Sequence, residues 1–349
     1  MKRRNTRVIK VGDRLIGGNN PITVQSMTNT LTKDIDSTVK QIKSLEDAGC
    51  DIIRLAISDL DDAKAISEIK RSIKIPMIAD IQYDYRLALE SIKYGIDGLR
   101  INPGNIGSLD KVKEIVKACK ERDISIRIGV NSGSIKKEFL EKFNGVNEDS
   151  MVHSALEQIR LLEDLDFHDI KISLKASNVP LTIKAYDKMS QVCDYPLHLG
   201  ITEAGPGMKG TVKSSVGMGI LLSMGIGDTI RISLTGDPVD EVRVGREILK
   251  SLHLLKEGVE LISCPTCGRT RIDLIDIVKE AEKRLEGIKK HITVAIMGCP
   301  VNGPGEAREA DIGIAGGNGE GLIFIKGKIV KKVKEEDLLD ELIREIEKL

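Results

Sequence analysis

The chain of 349 residues carries 53 Lys+Arg against 53 Asp+Glu, with 41% hydrophobic and 30% charged residues. That balance fits a soluble globular protein of about two domains and offers no global charge for nucleic acid or an anionic membrane. Aromatic residues are 3% and Trp is absent, which removes the stacking platforms of single-strand binders; no apolar run reaches the ~18 residues of a membrane span.

The opening MKRRNTRVIKVGDRLIGG is basic and lacks the apolar stretch of a secretory signal, so a cytoplasmic location is expected. Within it, VIKVGDRLIG reads as a β-hairpin. Short β-branched strands are then predicted at Ile22–Gln25, Ile52–Leu55, Met77–Asp80, Gly98–Ile101, Ser125–Ile128, Ile170–Ser173, Leu197–Ile201 and Thr229–Ser233. Amphipathic helices alternate with them. In Asp36–Ala48 the stripe is Val39, Ile42, Leu45 and Ala48; in Leu109–Cys119 it is Val112, Ile115, Val116 and Cys119. A helix after Asp237-Pro238 has an N-cap carboxylate and Pro at its first position. Eight β/α units predict an α/β fold, a (β/α)8 TIM barrel over residues 1–255, with the hairpin plugging its bottom. A doubly wound open sheet is the alternative, but it more often has fewer strands. Near Lys256–Gly258 the rhythm breaks. Residues 259–349 read as a small mixed α/β domain: strand Val259–Ser263, helix Asp273–Leu285, strand Ile292–Met297, strands near Ile312–Ala315, Leu322–Ile325 and Lys328–Val333, and helix Glu335–Lys348.

Catalysis in such a barrel sits at the C-terminal strand ends. There Arg54, Arg100, Arg127 and Arg231 each stand between apolar neighbours, and the sixth strand runs into Lys175. Buried parallel strands normally read as continuous apolar runs. One such arginine is as well explained by a structural ion pair; five cations at one rim point to a phosphorylated or diphosphate ligand, which Arg forks bind bidentately. The segments NPGNIG (102–107) and VNSGS (130–134) suit close backbone approach to an anion. Asp80, Asn131, Thr202 and Glu203 at the same rim are candidates to orient hydroxyls or handle protons.

Of six cysteines, Cys50, Cys119 and Cys193 are scattered, and Cys50 and Cys119 read as small buried hydrophobes. Cys264, Cys267 and Cys299 lie within 36 residues in loops rich in Gly and Pro. Structural zinc asks for a fourth Cys or His, and His291 lies before a strand, away from Cys299. Three thiolates with no fourth suit a 4Fe–4S cluster that keeps one iron for substrate. Glu306, in NGPGE, is a hard, weak carboxylate ligand that can yield that iron.

Together SCPTCGR, MGCPVNGPGEA, LRINPGNIG, IRIGVNSGS, HLGITEAG and QSMTNT resemble the 4-hydroxy-3-methylbut-2-enyl diphosphate synthase family of isoprenoid biosynthesis, in its compact two-domain bacterial form. The resemblance runs essentially end to end. It implies reductive ring opening of 2-C-methyl-D-erythritol 2,4-cyclodiphosphate to the linear hydroxymethylbutenyl diphosphate and water, with two electrons from ferredoxin or flavodoxin. It implies Cys264, Cys267, Cys299 and Glu306 as cluster ligands, with Glu306 catalytic, yielding its iron to the substrate and protonating the leaving oxygen. The diphosphate would be held by Arg54, Arg100, Arg127, Lys175, Arg231 and Ser233, with Asn131 and Asp80 nearby. One departure is Gln82, where the family usually has His; Gln can hydrogen-bond but not transfer protons. A non-redox barrel transferase with a zinc-stabilised appendix is the competing reading. The resemblance also implies a head-to-tail homodimer, and the eighth helix returning to the barrel's bottom before a short linker argues for active sites shared between two chains.

Overall fold

The computed structural model describes residues 2–299 and 309–349. The chain divides into two units, residues 1–255 and 256–349.

In the first unit, β1 (Ile9–Val11) and β2 (Arg14–Ile16) form an antiparallel hairpin. Eight parallel strands follow: β3 (Thr23–Met27), β4 (Ile52–Ala56), β5 (Met77–Asp80), β6 (Gly98–Ile101), β7 (Ser125–Asn131), β8 (Ile170–Lys175), β9 (His198–Leu199) and β10 (Thr229–Ile230). Their order is β8-β7-β6-β5-β4-β3-β10-β9, and a parallel bridge between Ile172 and Leu197 joins β8 to the start of β9 and closes the ring. This is the expected barrel rather than an open sheet. Ile9, Val11 and Ile16 of the hairpin bury against Ile52 and Ile78 on the inner face, so the hairpin stops the barrel's lower end.

Helices wrap the outside, most of them started by a capping Asp or Asn. Asp34, Asp59, Asp84, Asn147, Asn178 and Asp237 each accept a backbone N–H of the first turn. The helix at 36–48 in the sequence runs Ile35–Asp47, and that at 109–119 extends to Glu121. Two helices, Lys137–Lys142 and Glu148–Glu163, fill the long connection from β7 to β8.

An aspartate just before a strand recurs as a lower-end fastener. Asp51, Asp97 and Asp228 accept the N–H groups of Val24, Met77 and Leu197 on the neighbouring strand, at 2.8, 3.0 and 2.8 Å. These carboxylates lie at the strand starts, opposite the arginine-bearing ends.

In the second unit, β11 (Val259–Ser263), β12 (Ile292–Met297), β13 (Ile312–Gly316), β14 (Glu320–Ile325) and β15 (Lys328–Lys334) form one sheet in chain order. The first three are parallel and the last two antiparallel. Asp311 repeats the fastener on Thr293 at 2.9 Å. Helix Leu274–Leu285 and the terminal helix Leu338–Glu347 pack Leu274, Leu285, Leu338 and Leu342 against Val294, Ile296, Ile312 and Ile314. The exposed edge β15 carries Lys328, Lys331, Lys332 and Lys334, charges that discourage further strand pairing.

Candidate active site

Inside the barrel's upper end is a cavity of about 220 Å³ lined by Arg54, Asp80, Gln82, Arg100, Arg127, Asn131, Ser173, Lys175, Thr202, Arg231 and Ser233. Strand register explains the convergence. Arg100 and Arg127 are Cα partners, Asp80 pairs with Arg100, and Asn131 pairs with Lys175. Small residues make the room: a Cβ on Gly129 would stand 2.9 Å from Arg100 Nε, and one on Gly200 would stand 2.5 Å from Lys175 Nζ.

The cations are unevenly matched. Asp80 takes Arg100 Nη1 at 3.1 Å, Arg54 Nε at 3.6 Å and the Gln82 amide at 3.2 Å. Glu241 accepts the Leu234 N–H at 3.0 Å and the Ser26 hydroxyl at 3.2 Å, with Arg231 Nη2 at 3.5 Å. The ion-pair explanation therefore accounts in part for Arg54, Arg100 and Arg231. It does not account for Arg127, only 2% exposed, whose Nε and Nη1 have no partner among the described residues. Buried polar groups are almost always paired, so these atoms mark a place for a ligand's oxygens.

Electrostatics agree. Burial, then Arg231 and Arg100, lowers the Arg54 guanidinium to about 9 despite Asp80. Burial and then the neighbouring guanidiniums push Arg127 and Lys175 down as well. Burial raises the Asp80 carboxyl, but Arg54, Arg100 and Arg127 outweigh it and hold it below the ordinary carboxylate range. An anion relieves the crowding of like charge.

Of the rim residues read from the sequence, Glu203 is the one the cavity leaves out. It is exposed and takes a left-handed φ of 52° in the turn after β9, so its neighbour Thr202 lines the wall instead.

In the second unit Cys264 directly follows β11, and Gly298-Cys299 directly follow β12, its parallel neighbour. The Gly298 N–H donates to Cys264 Sγ at 3.2 Å, the kind of contact that stabilises a thiolate. Cys299 is buried, Cys264 half-buried and Cys267 exposed on the connecting loop. Among the described residues no three Cys, His, Asp or Glu side chains gather around one point; Glu306 lies outside the described residues. The donor chemistry, soft sulfur at adjoining strand ends with an N–H aimed at it, fits an iron–sulfur centre.

A GcpE TIM-barrel domain model matches residues 6–246, and a GcpE protein C-terminal domain model matches residues 260–348. The chain belongs to the GcpE family. Relatives named 4-hydroxy-3-methylbut-2-en-1-yl diphosphate synthase (flavodoxin) span it almost completely. The Clostridium perfringens protein is 62% identical over 99% of both chains, and that of Caldanaerobacter subterraneus is 64% identical over 99% of this chain and 98% of its own. That of Geobacter sulfurreducens is 59% identical over 99% and 98%. Among solved structures, Yersinia pestis dihydropteroate synthase is 10% identical with a TM-score of 0.51, covering 70% of this chain and 98% of that one. Type I 3-dehydroquinate dehydratase from Clostridium difficile is 15% identical with a TM-score of 0.53, covering 71% and 98%. At such identities the likeness is of fold alone.

The GcpE barrel also holds residues that sequence reasoning passed over. Lys171, His198 and Gln25 point into it below the cavity, and Glu241 steadies Arg231 from the helix Pro238–Ser251. The period of two in Lys171-x-Ser173-x-Lys175 was the available signal for the first; Glu241 had none, because an acidic residue in a first helical turn is ordinary.

Proposed function

We propose that this chain catalyses the reductive ring opening of 2-C-methyl-D-erythritol 2,4-cyclodiphosphate to (E)-4-hydroxy-3-methylbut-2-enyl diphosphate and water, with two electrons from flavodoxin. The observation that carries the reading is the cavity of five cations in which Arg127 stays buried with Nε and Nη1 unpartnered among the described residues. The names of relatives near 60% identity point the same way.

In this reading Arg127, Lys175, Arg54, Arg100 and Arg231 neutralise the cyclic diphosphate and hold it in one pose. Asp80 fixes the forks of Arg54 and Arg100 before the ligand arrives. Ser233, Ser173, Thr202, Asn131 and Gln82 supply hydrogen bonds; Gln82 also donates to Asp80. The residues that would hold a 4Fe–4S cluster are Cys264, Cys267, Cys299 and Glu306. Such a cluster supplies electrons one at a time and a Lewis-acid iron. Glu306 would carry the proton given to the departing oxygen. Iron and sulfide analysis of anaerobically purified protein tests the redox half: near four of each per chain is expected, and zinc alone would return the chain to the non-redox transferase reading.

We also propose a head-to-tail homodimer with each active site shared between chains. The helix Pro238–Ser251 antiparallel to the barrel strands ends at the lower face, shortly before the unit boundary at Leu255. Co-expression of an Arg127→Ala chain with a Cys299→Ser chain tests it. Random pairing makes about half the dimers mixed, each with one intact site, so activity should recover to roughly a quarter of wild type. Activity no higher than in the single mutants, with mixed dimers confirmed by mass, would exclude sharing.

A further inference from the structure

Below the cavity the barrel interior stays polar where folds of this kind normally place branched aliphatic layers. At the cavity floor Lys175 Nζ lies 3.3 Å from His198 Nε2, and His198 Nδ1 lies 2.9 Å from the Thr229 hydroxyl. Lys175 is 8% exposed and His198 fully buried. The Tyr186 hydroxyl donates to the His198 carbonyl at 2.5 Å and accepts the Leu174 N–H at 3.1 Å, which locks β8 and β9 together around the pair.

An ammonium only donates, so with Lys175 charged His198 Nε2 must be the bare nitrogen and Nδ1–H must face Thr229. Two cations are disfavoured at 3.3 Å here, because the guanidiniums bearing on the pair, Arg127 from β7, Arg54 from β4, Arg100 from β6 and Arg231 after β10, are positive, while the one carboxylate in the cavity lining, Asp80 from β5, is taken by Arg54 and Arg100. Burial and those charges push both the Lys175 amine and the His198 imidazole well below their ordinary ranges. The barrel without ligand thus has a lysine with room for a proton, aimed at the cavity by a neutral histidine.

We propose that the Lys175–His198 pair takes up one proton from solvent, onto Lys175 Nζ, as the anionic substrate enters, and that His198 is the positioning residue that holds the resulting ammonium in line. This deepens the reading of the barrel as a diphosphate site and rests on it. A phosphate oxygen beside Nζ raises its proton affinity, so binding and proton uptake are linked. Affinity therefore falls as pH rises above the value at which free Lys175 loses its proton, by at most tenfold per pH unit for one proton.

Titration calorimetry of the full-length holoprotein with the cyclic diphosphate, without reductant, reads this directly. Each phosphorus of that ligand bears one strongly acidic oxygen, so the ligand itself does not titrate near neutral pH. In buffers of different ionisation heat, wild type at about pH 8 should take up about one proton per barrel, and Lys175→Met none. His198→Leu should weaken binding about tenfold. His198→Gln, whose amide oxygen can accept from Lys175, should restore it, separating an acceptor from a space-filler. Binding without proton uptake in wild type, or equal uptake in Lys175→Met, overturns the proposal even if His198→Leu fails to fold. No binding at all overturns the diphosphate reading itself and the proposal with it.

Discussion

Both candidate sites of this chain sit at the C-terminal ends of parallel strands, yet they are built to different degrees. The barrel site is finished before any ligand arrives. Its cations are buried, placed by strand register and steadied by Asp80 and Glu241. The cysteine edge is open: Cys264 and Cys299 stand on adjacent strand ends, while Cys267 is exposed on its loop. The contrast follows from the chemistry. Electrostatic recognition of an anion needs dipoles and charges fixed in advance, whereas metal–sulfur bonds are strong enough to draw their own ligands together.

The largest effect should therefore come from the open site. Cys299→Ser should leave the barrel folded and still able to bind the cyclic diphosphate, while iron content and turnover fall to background. Retention of iron and sulfide at wild-type levels would break the comparison, because the site would then not depend on its buried cysteine.

A smaller effect is expected from the finished site. Arg127→Met removes a charge-assisted contact worth on the order of 1.5–3 kcal/mol, roughly ten- to a hundredfold in affinity. The same substitution removes a buried guanidinium with two nitrogens unpartnered among the described residues. Thermal stability should consequently rise, by about 2–4 °C for each kcal/mol recovered. Calorimetry and thermal melts together decide: a fall in both stability and affinity would mean that Arg127 is a structural element of the barrel first.

These expectations show what the sequence carried. The arginines were legible because each interrupts an apolar strand, and the hairpin because VIKVGDRLIG sets two short apolar-bearing segments around a Gly-Asp turn. The helix start at Asp237-Pro238 was legible from local chemistry alone. Harder to read was which way a polar strand residue points when both faces are buried. Lys171 and His198 look like ordinary polar positions until the ring closes. Glu241 reaches Arg231 and Ser26 from a helix that packs on β3, a placement the sequence does not show. Glu203 looked like a rim acid, but it is exposed, with a left-handed φ, and does not line the cavity.

The smallest effect concerns Lys171, 1% exposed with Nζ unpartnered among the described residues. Burial and Arg127 lower its amine to about 7, with Asp228 opposing. The unfolded chain, with an ordinary lysine, holds that proton up to about pH 10, so this group's penalty on the fold is full below about pH 7 and fades as pH rises to about 10. Lys171→Met should accordingly melt higher than wild type near pH 7, with the difference shrinking toward pH 10. A difference constant across that range would show that Lys171 is charged and partnered by something the barrel interior admits, such as ordered water.

In this reading two differently built sites serve one reductive reaction. Phosphorus NMR of an anaerobic mixture of the purified protein, reduced flavodoxin and 2-C-methyl-D-erythritol 2,4-cyclodiphosphate tests it most directly. The cyclic diphosphate signals should give way to those of a linear diphosphate, and should stay unchanged with Cys299→Ser or without flavodoxin. Conversion that continues without reductant, or a cyclic diphosphate left intact by iron-loaded wild type, would contradict it.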